Sequence, residues 1–278
     1  MTRRFRFQPL VILGVIVVTL VSLTPIIWVV LTSLKTRNEI YSFPPTFLPA
    51  SFNLENFINI LVNSSYGRYA VNSLIVGFVA TFMVMMLAIL SSYAYSKFFN
   101  FKGKNSMMIF IIIARMVPEI AIVIPLFLMM QSARLYDTLW SVILPLTALA
   151  YPMATWLLKT FFDDVPISLI EAARIDGAST LGILFRIVLP ISGPALASTF
   201  TITFLTVWNS FLIPQVFTKT VHSKTLTVGI AELANSEFGV NWGGLSAIAV
   251  VTVLPVFIIG FFAQKYLTAG LTAGAEKG

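Results

Sequence analysis

Long uncharged apolar runs constrain this chain more than any other feature. Residues 7–34, 69–96, 138–158, 187–218 and 238–264 contain no Asp, Glu, Lys or Arg. Each reaches the about 20 helical residues that a hydrocarbon core requires. A sixth stretch, 106–130, is apolar apart from Arg115 and Glu119. Only 10% of residues are charged against 58% hydrophobic, too few to coat soluble domains of this length, so lipid must be the main solvent. The expected fold is all-α integral membrane, with six transmembrane helices. The chain has no Cys, which excludes disulfides, thiolate metal sites and cysteine nucleophiles.

Charge sets the expected orientation. Arg3, Arg4 and Arg6 precede the first run as in a signal peptide, but that run exceeds the usual 7–15 residues and lacks a small-residue cleavage pattern, so it reads as an uncleaved helix. With the N-terminus inside, eleven of the 18 Lys and Arg fall on the cytoplasmic side and six outside, with Arg115 within a span. Both termini are then cytoplasmic, and the net charge of +7 belongs to loops rather than to a nucleic-acid face. Residues 36–67 form the longest outer stretch. No internal repeat is visible, which weighs mildly against a secondary transporter.

Between the fourth and fifth spans, residues 163–179 carry unusually complete helix punctuation. The Asp163-Asp164 pair favours a positive helix end, Pro166 suits a first turn, Gly177 can take the left-handed conformation, and Ser179 can cap the next helix. A short helix, a turn and a second helix are expected. Leu169, Ala172 and Ala173 share one face at i, i+3 and i+4, with two small side chains that admit a neighbouring backbone. That face suits a docking knob for another protein, or a plain linker lying on the membrane surface.

The spacing of Glu171-Ala172-Ala173, Gly177, Ile187 and Leu189-Pro190 resembles the EAA motif of permease subunits of type I ABC importers. The resemblance implies a coupling helix between helices 4 and 5, seated on a separate cytoplasmic ATPase. Glu171 would contact that ATPase, Ala172 and Ala173 would allow close seating, and Gly177 would make the turn. The chain has no G-x-x-x-x-G-K-[ST] phosphate loop of its own. It is therefore expected to bind no cofactor and to be no enzyme, with ATP and Mg on the partner.

Four further places resemble the carbohydrate branch, the maltose-type permeases: Phe52-Asn53-Leu54-Glu55-Asn56-Phe57, Arg115-Met116-Val117-Pro118, Trp208-Asn209-Ser210-Phe211, and the tail 270–278. That implies a half-pathway for a carbohydrate in the bacterial-type inner membrane. The implied partners are a homologous second permease, two ATPase subunits and an extracytoplasmic solute-binding protein probed by the outer loop 217–241. The tail would reach the ATPase interface through Gly270, Gly274 and Lys277, although Glu276 stands where the family commonly has an apolar residue. Three segments are expected: 1–68 with the first helix and outer loop, a permease core over 69–267, and a tail at 268–278.

Arg115 and Glu119 are read as one turn apart near mid-bilayer, either lining the path or locking helices as an ion pair. Thr199, Thr203, Thr206 and Ser210 form a hydroxyl stripe at i, i+4, i+7 and i+11 with Asn209 beside it. Such a stripe suits sugar hydroxyls or close helix packing. Trp208 suits an interfacial belt. His222, the one histidine, lies in the outer loop without a second metal-type ligand at a recognisable spacing. The rival readings are an ion-coupled secondary transporter using Arg115 and Glu119, or an ABC permease for a non-sugar solute. An intramembrane hydrolase lacks a nucleophile with a base.

Overall fold

The computed structural model describes residues 9–98, 103–235 and 239–275. The helices are α1 (Pro9–Ser33), α2 (Arg37–Ile40), α3 (Glu55–Leu61), α4 (Tyr66–Tyr93), α5 (Lys104–Ala114), α6 (Glu119–Ser132) and α7 (Leu139–Asp163). They continue as α8 (Ile167–Ile175), α9 (Thr180–Ile183), α10 (Leu189–Ile191), α11 (Gly193–Trp208), α12 (Leu212–Phe217), α13 (Leu226–Ala234) and α14 (Trp242–Ala275). No strand occurs among the described residues. Two compact units divide the chain: Met1–Gly67 with Ile230–Leu254, and Arg68–Gly229 with Pro255–Gly278.

In the first unit, the apolar span Val11–Ser33 has a mean hydropathy of 2.5 and stays exposed over most of its length, as a helix solvated by lipid can. After it the chain is fixed by polar contacts. Thr36 and Glu39 form a reciprocal capping box that starts α2. The Asn56 side-chain amide donates to the carbonyls of Ser33 (3.0 Å) and Lys35 (2.8 Å).

The second unit has its core where α4, α7 and the α11–α12 segment meet. Val76, Ala80, Val84 and Ala88 recur every four residues on α4 and pack in one cluster with Val142, Leu146, Ala150, Ala154 and Leu158 of α7. Small residues on both faces let the backbones approach, the usual basis of helix packing in lipid. Gly77 belongs to this logic: a Cβ there would lie 3.0 Å from the Phe204 ring and 3.3 Å from that of Trp208. Ser92 donates to the Thr155 carbonyl at 2.8 Å, adding a polar tie between α4 and α7.

Among the described residues, four helices are continuous and apolar enough to cross a membrane, and a fifth span requires joining Thr180–Ile191 to Gly193–Trp208 across an 82° bend. The expected span 106–130 is not one helix. It is split into α5 and α6, because Pro118 offers no N–H and disfavours helical geometry at Val117. The expected run 187–218 is interrupted twice, at Ser192 before the Gly193-Pro194 pair and again after Trp208. Phe238, the expected start of the last span, lies outside the described residues.

Candidate functional site

The break at Arg115–Pro118 opens a cavity of about 420 Å³ within the second unit. Arg115 and Glu119 flank the break; Thr206, Asn209 and Ser210 face it from the end of α11, with Leu146, Leu149 and Ala150 of α7 as an apolar wall. Five of the seven sequence-predicted pathway residues thus line one space. Thr199 and Thr203 do not: they are 1% and 4% exposed inside the helix packing, so the hydroxyl stripe divides between packing and cavity. Arg115 and Glu119 were expected one helical turn apart. With no helix between them, neither side chain makes a hydrogen bond or ion pair with a described residue; the Arg115 backbone N–H only closes α5 on the Ile112 carbonyl at 3.0 Å. The Ser210 hydroxyl is buried without a partner, while Asn209 donates back to the Leu205 carbonyl at 2.8 Å. Trp208 is buried and stacked on Phe204, with centroids 5.5 Å apart, not exposed in a belt. The cavity can offer one cation, one carboxylate and several neutral hydrogen-bonding groups to a polar solute.

At the far end of α7 lies the loop with the EAA spacing. Asp163 does not start the next helix; it closes α7, paired with Lys159 at 2.5 Å. Pro166 is the residue before the first turn of α8. The α8 helix ends in a Schellman arrangement: Ala178 N–H donates to the Ala173 carbonyl (2.9 Å) and Gly177 N–H to that of Arg174 (3.0 Å). This requires the left-handed φ of +77° found at Gly177. Ser179 then caps α9, accepting from Gly182 N–H at 3.2 Å.

The expected small-residue face is divided. Ala173 is buried with Ile170 against Tyr93, Phe162, Ile183 and Leu184, and Ile187 and Leu189 pack on the same cluster. Glu171, Ala172 and Leu169 stay exposed, and Ile175 is 86% exposed. Pro190 is exposed, whereas Gly270 and Gly274 lie along α14 and Lys277 lies outside the described residues. Sequence reasoning missed the two ties that hold this loop: Lys97 donates to the Val165 carbonyl at 2.9 Å and the Tyr93 hydroxyl to that of Thr180 at 3.2 Å. In the charge count Lys97 is one of the eleven cytoplasmic Lys and Arg, with nothing in the sequence to mark this contact.

At the opposite end of α7 a second polar anchor was also missed. Asp137, with φ +59°, accepts from the N–H groups of Lys219 (2.7 Å) and Thr220 (2.9 Å) and from the Ser223 hydroxyl. Asn72 donates to the Val221 and Lys224 carbonyls at 3.1 and 2.9 Å. The segment carrying exposed His222 is therefore a tied-down loop. An Asp next to a helix start was the available signal, since Asp tolerates positive φ.

Residues 85–272 match the family model described as "Binding-protein-dependent transport system inner membrane component". The chain is 33% identical over 276 residues to the trehalose/maltose transport system permease protein MalG of Thermococcus litoralis, covering 97% of this chain and 96% of that one. It is 32% identical over 274 residues to the sulfoquinovosyl glycerol transport system permease protein SmoH of Agrobacterium fabrum, covering 99% and 95%. Among solved structures, a bacterial ABC transporter involved in import of the acidic polysaccharide alginate has a chain that superposes with a TM-score of 0.80 at 22% identity, covering 96% and 98%. The chain belongs to the family of inner-membrane permease components of binding-protein-dependent ABC transport systems, whose role in transport is non-catalytic.

Proposed function

We propose that this permease imports a carbohydrate. It forms half of the translocation path and takes its energy from a separate ATPase engaged through α8. The observation that carries this reading is the near full-length similarity to permeases of sugar-transport systems. It is supported by the cavity at Arg115 and Ser210, whose neutral donors and acceptors suit hydroxyl-rich solutes. In this reading Glu171, Ala172 and Ile175 form the face that meets the ATPase, and Ala173, Ile187 and Leu189 hold that face in place from behind. ATP and Mg belong to the two ATPase subunits, a second permease completes the path, and a solute-binding protein delivers the sugar on the side of the Asp137-anchored loop. The termini lie in the cytoplasm, and the tail 268–278 extends toward the ATPases.

Affinity purification in mild detergent tests the assembly. One related permease and two ATPase subunits should accompany the chain, and proteoliposomes of that assembly with its binding protein should take up trehalose or maltodextrin in an ATP-dependent way. Recovery of the chain alone, with uptake driven by a proton gradient, would reject the proposal. Gly177→Val should leave membrane insertion intact yet lower ATPase recovery. The space around Gly177 is open, so the penalty is backbone strain of about 1–2 kcal/mol.

A further inference from the structure

A second cavity, of about 500 Å³, has no part in the import reading and lies wholly within the first unit. It sits where the apolar span Val11–Ser33 ends and the span Trp242–Gln264 begins, the level at which hydrocarbon gives way to headgroups. Along the two helices its lining is mainly apolar, with Val29 of α1 and Leu245 and Ala249 of α14 beside Thr32 and Ser246. Ala249 lies about 10 Å further along α14 than Trp242, at 1.5 Å per residue. Three aromatic residues, Trp28, Tyr41 and Trp242, also line the cavity, as at membrane interfaces generally.

The polar end holds Lys35, only 3% exposed. Its ammonium donates to the Thr46 carbonyl and lies 4.9 Å from the centroid of the Trp28 ring. A backbone carbonyl and a ring face do not neutralise a cation that can donate three hydrogen bonds. The Glu39 carboxylate attracts Lys35 through space but makes no ion pair with it, its oxygens accepting from Thr36 N–H (2.8 Å) and Ala50 N–H (2.7 Å), so Lys35 keeps hydrogen-bonding capacity for a ligand. A buried ammonium in a pocket with a mainly apolar lining suits an amphiphile carrying an anionic group.

We propose that this cavity is a binding site for a glycerophospholipid. The phosphate meets Lys35, the glycerol region lies among the three aromatic residues, and an acyl chain runs down the wall of Val29, Leu245 and Ala249. The mainly apolar lining favours a lipid over a sugar, because most of a sugar's hydroxyls would find no partner there.

The test is native mass spectrometry of the full chain, purified in a neutral detergent with whatever subunits accompany it and titrated with phosphatidylglycerol and phosphatidylethanolamine. We expect one retained phospholipid per copy of the chain. Retention should weaken about fivefold or more in Lys35→Met and in Ala249→Leu, and persist in Lys35→Arg. Ala249→Leu narrows the apolar wall and leaves Lys35 untouched, so it stays informative if Lys35→Met does not fold. Equal retention in wild type and Ala249→Leu overturns the proposal, as does a wild-type chain that retains no phospholipid. Displacement of the lipid by millimolar inorganic phosphate or by trehalose also overturns it, in favour of a free anion or a sugar.

Discussion

Asp137 gathers three donors onto one carboxylate oxygen. Burial alone would raise its pKa, but the hydrogen bonds from Ser223, Thr220 and Lys219 outweigh burial and bring it from 3.8 to about 2. Because the folded value lies below the unfolded one, the stabilisation is fully present above about pH 4 and is lost as pH falls toward 2. Partial exposure limits it to about 1–2 kcal/mol. Thermal unfolding in detergent should show Asp137→Asn less stable than wild type at pH 6, with the gap closing by pH 2. A constant gap would show that the carboxylate charge is not what ties the loop. At Arg115 and Glu119 the expectation reverses what an intrahelical pair would give. With no contact between them, a double-mutant cycle of the two Leu replacements, read by transport, should give a coupling below about 0.5 kcal/mol.

Elements divide into those the sequence specifies locally and those that packing decides. In α8 a single residue step separates two roles: Ala173 lies in the core and Ala172 on the surface. Ala173→Leu should cost about 1–3 kcal/mol through overpacking, measured as a lowered melting temperature of the detergent-solubilised protein. Ala172→Leu should leave that temperature unchanged and weaken ATPase recovery. The turn after α8 was legible because Gly177 and Ser179 act through local backbone geometry. Which alanine faced inward was not, because the answer depends on Tyr93 and Phe162, each from another helix. The break at Pro118 illustrates the same limit. Pro25, Pro125, Pro145, Pro152 and Pro255 all sit inside helices that continue, so a proline marks a weak point and the surroundings decide whether the chain turns there. The hydroxyl stripe on α11 was legible as a pattern, yet the structure puts Thr199 in packing and Thr206 at a cavity.

At the scale of the whole molecule, composition and apolar runs were enough to assign a membrane-embedded all-α fold, and the loop spacing was enough to assign the family. The number of unbroken spans was not readable, because hydropathy averages over a window and does not register an 82° bend. The split of the third apolar stretch also bears on how the protein is made. While the ribosome is still extending the chain, Val11–Ser33 and Tyr66–Lys97, with mean hydropathies of 2.5 and 2.6, can each pass from the translocon into lipid unaided. Neither α5, with 11 residues, nor α6, with 14, is long enough to do so, and Arg115 and Glu119 lie between and at their ends. Charged residues of this kind cost about 2.5–3.5 kcal/mol each at a helix centre. In a glycosylation-mapping assay, a nascent chain truncated after residue 132 should leave this segment largely uninserted, and one extended through α7 should rescue it. Nascent chains would then wait at this point in synthesis for a later helix to arrive, which makes the segment around Arg115 the stage most exposed to quality-control proteases.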